Sequence, residues 1–289
     1  MWELERNQPS TNSARDSVAL KRVTIVGRGR LGTALATGLR EAGLIVEGPL
    51  GRDAEPAFTG LLPREPAHGD PAVVLLCVPD GEIARAAAKL APGLIVGHCS
   101  GATALEALGP HERFSLHPLM TVTAAGARFA GAGAAIAGST PRALSIAAQL
   151  ADAVGMNPVA LADDDRAAYH AAASIASNFL ITLEAAAERL AAGAGVRREM
   201  LVPLVRATVE NWAALGAERA LTGPIARGDE LTVQRQREAV AQRAGDLLPL
   251  FDALVQATRA LANPGRPATG SAVSDAATER REPIEATVA

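Results

Sequence analysis

Residues 23–32 read Val-Thr-Ile-Val-Gly-Arg-Gly-Arg-Leu-Gly, and no other stretch limits the fold as strongly. Val23–Val26 is a short β-branched run of the kind that forms a strand buried on both faces. It ends in Gly27, Gly29 and Gly32, spaced G-x-G-x-x-G. At that spacing the glycines have separate tasks: a tight turn, close approach of backbone to a pyrophosphate, and close helix–strand packing. A helix over roughly Leu31–Ala42 follows, its free N–H groups aimed at the phosphates. Gly43 is its stop signal. A second apolar run, Leu44–Val46, completes the strand–turn–helix–strand context that a dinucleotide site needs. Arg30 and Leu31, between the second and third glycines, belong to the same candidate cofactor-binding stretch.

The end of the second strand bears on which dinucleotide is bound. An NAD site places Asp or Glu there to hold the ribose 2′-hydroxyl. This chain has Leu50-Gly51-Arg52, with an acid only at Asp53. Arg52 offers a 2′-phosphate a bidentate charged contact, so the reading favours NADP(H). Glu47 is the rival, but it falls inside the strand.

Composition removes several function classes. The 289 residues can hold two domains. A net charge of −3 gives no general attraction to nucleic acid or to an anionic membrane. No apolar run is long enough to span a bilayer, and the acidic N-terminal residues Glu3, Glu5 and Asp16 do not suit a secretory signal. Cys77 and Cys99 sit in or beside apolar strand-like runs, as small buried residues without a disulfide or metal framework. A cytoplasmic location is expected. The only lysines are Lys21 and Lys89.

Beyond residue 70 the pattern alternates. Val73–Val78 reads as a strand ending in Pro79-Asp80, with Asp80 capping a helix to about Leu90. Leu94–Gly97 is a strand that ends in His98-Cys99-Ser100-Gly101. A short helix over Thr103–Leu108, a strand Arg113–Leu116 before His117-Pro118, a strand Ala134–Ala137, a helix Pro141–Val154 and a strand Pro158–Leu161 follow. The fold class is α/β: a doubly wound, mostly parallel sheet whose ligand lies at the carboxyl ends of its strands. From Asp163 to Asn263 nearly everything reads as helix, with a run to about Ala192 and breaks at Gly193–Gly195 and Leu221–Asp229. The plan is a polar arm (1–19), a dinucleotide-binding domain (20–162), an all-α domain (163–263) and a disordered tail (264–289). The stretch 53–70 is expected to be a long surface loop.

On the first long helix, His170, Ser174 and Asn178 recur every four residues, a drift of about 40° per step. They make a polar stripe among alanines, either a cleft wall or a helix contact in which His and Asn satisfy one another. Tyr169, Ile175, Phe179 and Leu183 look like packing positions. His98 and Ser100, just past a strand end, and His117, after another strand, are candidates to bond a nicotinamide carboxamide or substrate; otherwise they are turn residues. Val78, Pro79 and Asp80 line the same edge. His68 and His111 fall in loops without a role, and no metal-ligand spacing is present. In the break at 221–229, Asp229 caps the next helix. Arg227 is a candidate clamp for a substrate carboxylate, or else pairs with Asp229.

These motifs, in this order, resemble a Rossmann-like family whose C-terminal half is a domain of unknown function (DUF2520), described as NADP oxidoreductases. The carriers are Gly27–Gly32, Val78-Pro79-Asp80, His98–Gly101, Leu116–Leu119, Tyr169–Asn178 and Leu221–Asp229. The family is related to 6-phosphogluconate dehydrogenase, ketopantoate reductase and pyrroline-5-carboxylate reductase. That kinship implies a helical domain closing a cofactor cleft, a homodimer through that domain, and reduction of a small carbonyl or imine by NADPH, with a ketopantoate-like 2-oxo acid as first substrate. Relatives use a helix lysine as proton donor; this chain has Ser174 there, which leaves His170 as the donor and Ser174 and Asn178 holding the oxygen. Many members carry a histidine where Gln236 stands. The missing lysine also keeps open a non-catalytic NADP-binding sensor or assembly protein. A deazaflavin-linked NADP reductase is a third reading.

Overall fold

The computed structural model describes residues 20–51, 72–123 and 126–263. Seven strands form one sheet: β1 (Arg22–Val26), β2 (Ile45–Leu50), β3 (Val73–Leu76), β4 (Ile95–His98), β5 (Glu112–Leu119), β6 (Gly133–Gly138) and β7 (Asn157–Ala160). Their spatial order is β2-β1-β3-β4-β5-β6-β7, every pairing parallel except β5–β6. The doubly wound, mostly parallel reading holds. The winding reverses between β1 and β3, the switch point at which such sheets open a crevice.

Side chains alternate across the sheet as the two-residue period of a strand requires. Val23, Ile25, Leu75 and Phe114 pack on one face, against Leu35 and Leu39 of α1 (Arg30–Glu41) and Ile146 and Leu150 of α3 (Pro141–Ala153). Val26, Val74, Leu76 and Val96 pack on the other, against Ile83 and Ala87 of α2 (Ile83–Ala87). Gly43 stops α1 with φ +90°, and the Leu44 and Gly43 N–H groups bond Leu39 and Arg40 carbonyls, a Schellman closure.

Register sets the working edge. Val26 pairs with Leu76, Leu76 with His98, and His98 with Ser115, so β1, β3, β4 and β5 all present their carboxyl ends together. Two boundaries differ from expectation. His98 is the last residue of β4 rather than a loop residue, and β5 runs on through His117 and Pro118 by pairing with Ala135 and Ala134 of β6. The β4 register stops at Ser115, so Pro118 lies on a stretch bonded to one neighbour, where a missing N–H costs nothing.

The chain divides into two compact units, Met1–Leu180 and Ile181–Ala289. The first ends with α4 (Arg166–Ser174) and a π-helical turn, Ile175–Phe179, that leads into α5 (Leu180–Ala192). The second holds α6 (Arg198–Leu215), α7 (Ala217–Ala220), α8 (Glu230–Arg243) and α9 (Leu248–Ala262). Beyond the two expected breaks it turns at Gly216, with φ +78°, and at Ala244-Gly245. Surface ion pairs Arg237–Asp252 and Arg259–Glu230 tie its helices. Among the described residues no helix is long and apolar enough to cross a membrane.

Candidate active site

The site begins where β1 turns into α1. Gly27 sits at φ +113°, and a Cβ there would overlap the carbonyl oxygen of Cys77 at the β3 end. A Cβ on Gly32 would overlap the Gly27 carbonyl oxygen and come within 3.1 Å of the Cys77 Cβ. Only glycine lets helix, turn and neighbouring strand meet this closely. Gly29 is different: a Cβ on it would meet nothing within 4 Å, so its backbone faces open space. It is the N-cap of α1 with no side chain bonded over the helix end. The space is a cavity of about 730 Å³ lined by Gly27, Arg28, Gly29, Gly51, Val78 and Pro79 among others. A cradle of bare glycine backbone under a helix N-terminus, at the switch point of the sheet, fits a pyrophosphate and its flanking nucleosides. Arg30 is exposed at the start of α1, whereas Leu31 packs against the core. Arg52 lies outside the described residues, as do Asp53 and His68.

The next loops along the edge are tied together. Ser100 Oγ donates to Asp80 Oδ2 at 2.8 Å and accepts from the Ala102 and Thr103 amides. Asp80 therefore braces β3's loop against β4's, and does not cap the helix: the turn Asp80–Glu82 has Pro79 as N-cap and no side-chain cap. His98 also departs from its expected role. It is fully buried, and its Nδ1 accepts from the Ser100 amide at 3.2 Å. Burial, and then the Arg166 cation, push its pKa down to about 4, so at neutral pH it is an uncharged core residue. Below the cradle, the free thiols of Cys77 and Cys99 lie 3.6 Å apart; the Cys77 contact and burial push Cys99 well up.

His117 stands at the same edge. Its Nδ1 lies 2.7 Å from the Tyr169 hydroxyl, with the two rings edge-on. The His170 ring stands 6.4 Å away, centroid to centroid. The His117 ring rests on the Gly101 backbone, where a Cβ would come within 2.9 Å of Cε1. Burial first, then the charge of His170, push His117 down to about 4, so it is neutral at pH 7. Burial raises the Tyr169 phenol. The result is an uncharged, hydrogen-bonded pair at the sheet edge, with His170 exposed beside it.

Sequence reasoning missed three residues here. Tyr169, the chain's single tyrosine, has the spacing of a packing residue. Arg166 is a buried cation whose Nη2 donates to Ser115 Oγ at 2.8 Å and whose Nε pairs with Asp163. The Asp163-x-x-Arg166 spacing was its only local sign. Arg28 reaches the β2 tip: a Cβ on Gly51 would overlap its guanidinium. Glu47, by contrast, is held inside β2 by Arg22 at 2.8 Å and Thr24 at 3.3 Å.

The expected polar stripe is altered. Ser174 is half-buried at the end of α4, and Asn178 lies inside the π turn, accepting from Ser177 Oγ at 3.0 Å. The wider turn breaks the simple four-residue drift; π turns recur at functional sites. Ile175 and Phe179 do not pack as expected, being 63% and 56% exposed. In the second unit, Arg227 is exposed on the loop before α8, and Asp229 caps that helix by accepting from the Thr232 amide at 3.1 Å.

Residues 132–258 match the family model described as domain of unknown function (DUF2520). The matched stretch takes in β6, α3, β7 and the helices up to α9, so it includes parts of the sheet and of both compact units. No curated protein matches the sequence. Among solved structures, protein TM1727 from Thermotoga maritima is 25% identical, with 85% of this chain and 100% of that one covered and a TM-score of 0.67. The reductive aminase from Aspergillus terreus in complex with NADPH and ethyl-5-oxohexanoate is 20% identical, covering 86% and 96%, TM-score 0.57. A 1-pyrroline-5-carboxylate reductase from Streptococcus pyogenes is 14% identical, covering 84% and 99%, TM-score 0.53. The chain shares their fold over 84–86% of its length.

Proposed function

We propose that this protein is an NADP(H)-dependent oxidoreductase that reduces a carbonyl or imine carbon of a small molecule. The observation that carries the reading is the shared edge. The glycine cradle at β1 and the His117–Tyr169 pair at β5 are three strand spacings apart, about 14 Å, the reach of an extended dinucleotide. NADPH, when bound, supplies a hydride. Gly27, Gly29 and Gly32 leave room for its pyrophosphate, and Val78, Pro79 and the braced Asp80–Ser100 loops line its path. The fold neighbours' names, a reductive aminase with NADPH and a pyrroline-5-carboxylate reductase, support the cofactor and add imines to 2-oxo acids as substrates.

Reduction of C=O or C=N leaves an electron pair on oxygen or nitrogen that needs a proton. We assign its delivery to His170, at the exposed side of the neutral His117–Tyr169 pair, with Ser174 and Asn178 as hydrogen-bond partners of the heteroatom. Arg227 is the candidate clamp for a substrate carboxylate. Exposed Met200, Leu204, Trp212 and Leu215 lie within about a third of the α6 circumference and support a homodimer through the helical unit, which sedimentation checks. Free cysteines and the absence of a described spanning helix accord with a cytoplasmic protein.

The test is NADPH oxidation over a panel that starts with ketopantoate and other 2-oxo acids and continues through cyclic imines. Turnover is expected, and His170→Ala should lower kcat about 100-fold and flatten its pH profile. Unchanged turnover and pH profile in that variant would remove His170 from the role. NADPH binding with no turnover on the panel would favour the non-catalytic reading, unless a deazaflavin is the acceptor.

A further inference from the structure

The dinucleotide site has a reader for one end of its ligand, supplied by an unexpected element. We propose that Arg28, inside the glycine loop, reads the 2′-phosphate of the dinucleotide, with Arg85 and Lys89 of the α2 segment completing the charge. This rests on reading the cavity as a dinucleotide site. The adenosine ribose of such a ligand lies against the carboxyl tip of β2, and discrimination between a 2′-hydroxyl and a 2′-phosphate is made there.

Three observations converge on that tip. The Arg28 guanidinium lies across Gly51, the residue after β2, close enough that any side chain at 51 would collide with it. Among the described residues the same cavity is lined by Arg28, Arg85 and Lys89, with Glu82 as the one carboxylate. Glu82 is itself paired with Arg85. Lastly, the acid within β2, Glu47, is bonded back to Arg22 and Thr24, and it does not line the cavity. Cations at this tip suit a group that carries close to two negative charges at pH 7, which a phosphate monoester does and a hydroxyl does not. The planar guanidinium matches phosphate oxygens two at a time. The glycine loop thus supplies the phosphate reader that the sequence pattern assigns to Arg52.

Fluorescence titrations of the full-length protein with NADPH and with NADH separate the possibilities, using wild type, Arg28→Ala and Arg52→Ala. Wild type is expected to prefer NADPH. Arg28→Ala should weaken NADPH binding about 10- to 100-fold, the worth of hydrogen bonds to a charged group, and leave NADH binding within about threefold. Retained NADH affinity shows in the same experiment that the variant is folded. An unchanged NADPH-to-NADH ratio in Arg28→Ala overturns the assignment, and if Arg52→Ala abolishes the preference instead, Arg52 is the reader. Equal affinities in wild type sink the 2′-phosphate proposal but spare the dinucleotide site. Binding of neither nucleotide sinks both.

Discussion

Between pH 6.5 and pH 4 the protein is expected to lose most of its stability. His98 and His117 are each pushed from the usual histidine range to about 4, mainly by burial. The Arg166 cation lowers both further, and His170 adds to the effect on His117, while Asp80 opposes it at both. A buried histidine with a depressed pKa binds fewer protons folded than unfolded throughout this window. The stability it contributes is therefore complete above pH 6.5 and falls as the pH drops toward 4. A shift of this size corresponds to about 3 kcal/mol for each histidine, a large share of the usual margin of a domain. Urea unfolding at pH 7, 5.5 and 4.5 measures it. His98→Phe should flatten the slope by about half. A midpoint that stays constant from pH 7 to pH 4.5 would mean that these rings are more solvated than their burial implies.

The second large effect lies in the glycine cradle. Gly32→Ala puts a methyl group onto the Gly27 carbonyl, with the Cys77 Cβ 3.1 Å from it, and neither neighbour is a flexible side-chain end. The cost is expected at about 3 kcal/mol, a fall in Tm of about 6–12 °C for a unit of this size. Gly29→Ala is the informative contrast. Its added methyl meets nothing in the protein, so thermal stability should be unchanged. It would occupy the room that a pyrophosphate needs, and NADPH affinity should drop about 100-fold. Thermal melts paired with NADPH titrations of the two variants read both effects. A Gly29→Ala protein that binds NADPH normally would place the phosphates elsewhere.

What the sequence showed, it showed locally. Val23–Val26, the glycine spacing and the Leu31–Ala42 helix are all set by neighbours within one or two turns, and they stand within a residue of expectation. Most of the departures are long-range. Gly97-His98 has no β-branched signal; β4 reaches His98 because Leu76, on another strand, pairs with it. β5 continues through His117-Pro118 because β6 returns antiparallel beside it. Asp80 would suit a helix cap by position, yet Ser100, 20 residues on, takes its carboxylate. Tyr169 meets His117 across 52 positions, and Arg166 meets Ser115 across 51. Composition and spacing carry no record of such meetings. One departure is local: the π turn at Ile175–Phe179 widens the four-residue drift that relates His170, Ser174 and Asn178.

The central claim is that the dinucleotide runs along the carboxyl edge of the sheet and ends at His117. Imidazole NMR signals of the ¹⁵N-labelled protein, followed during titration with NADPH, test it most directly. The account predicts that the His117 signals move with the same saturation curve as nicotinamide fluorescence. Those of His111, whose Nε2 lies 3.2 Å from the Ala87 carbonyl, should stay in place. Saturable NADPH binding with no change at His117 would contradict the account, because the cofactor would then lie off the edge that these residues build.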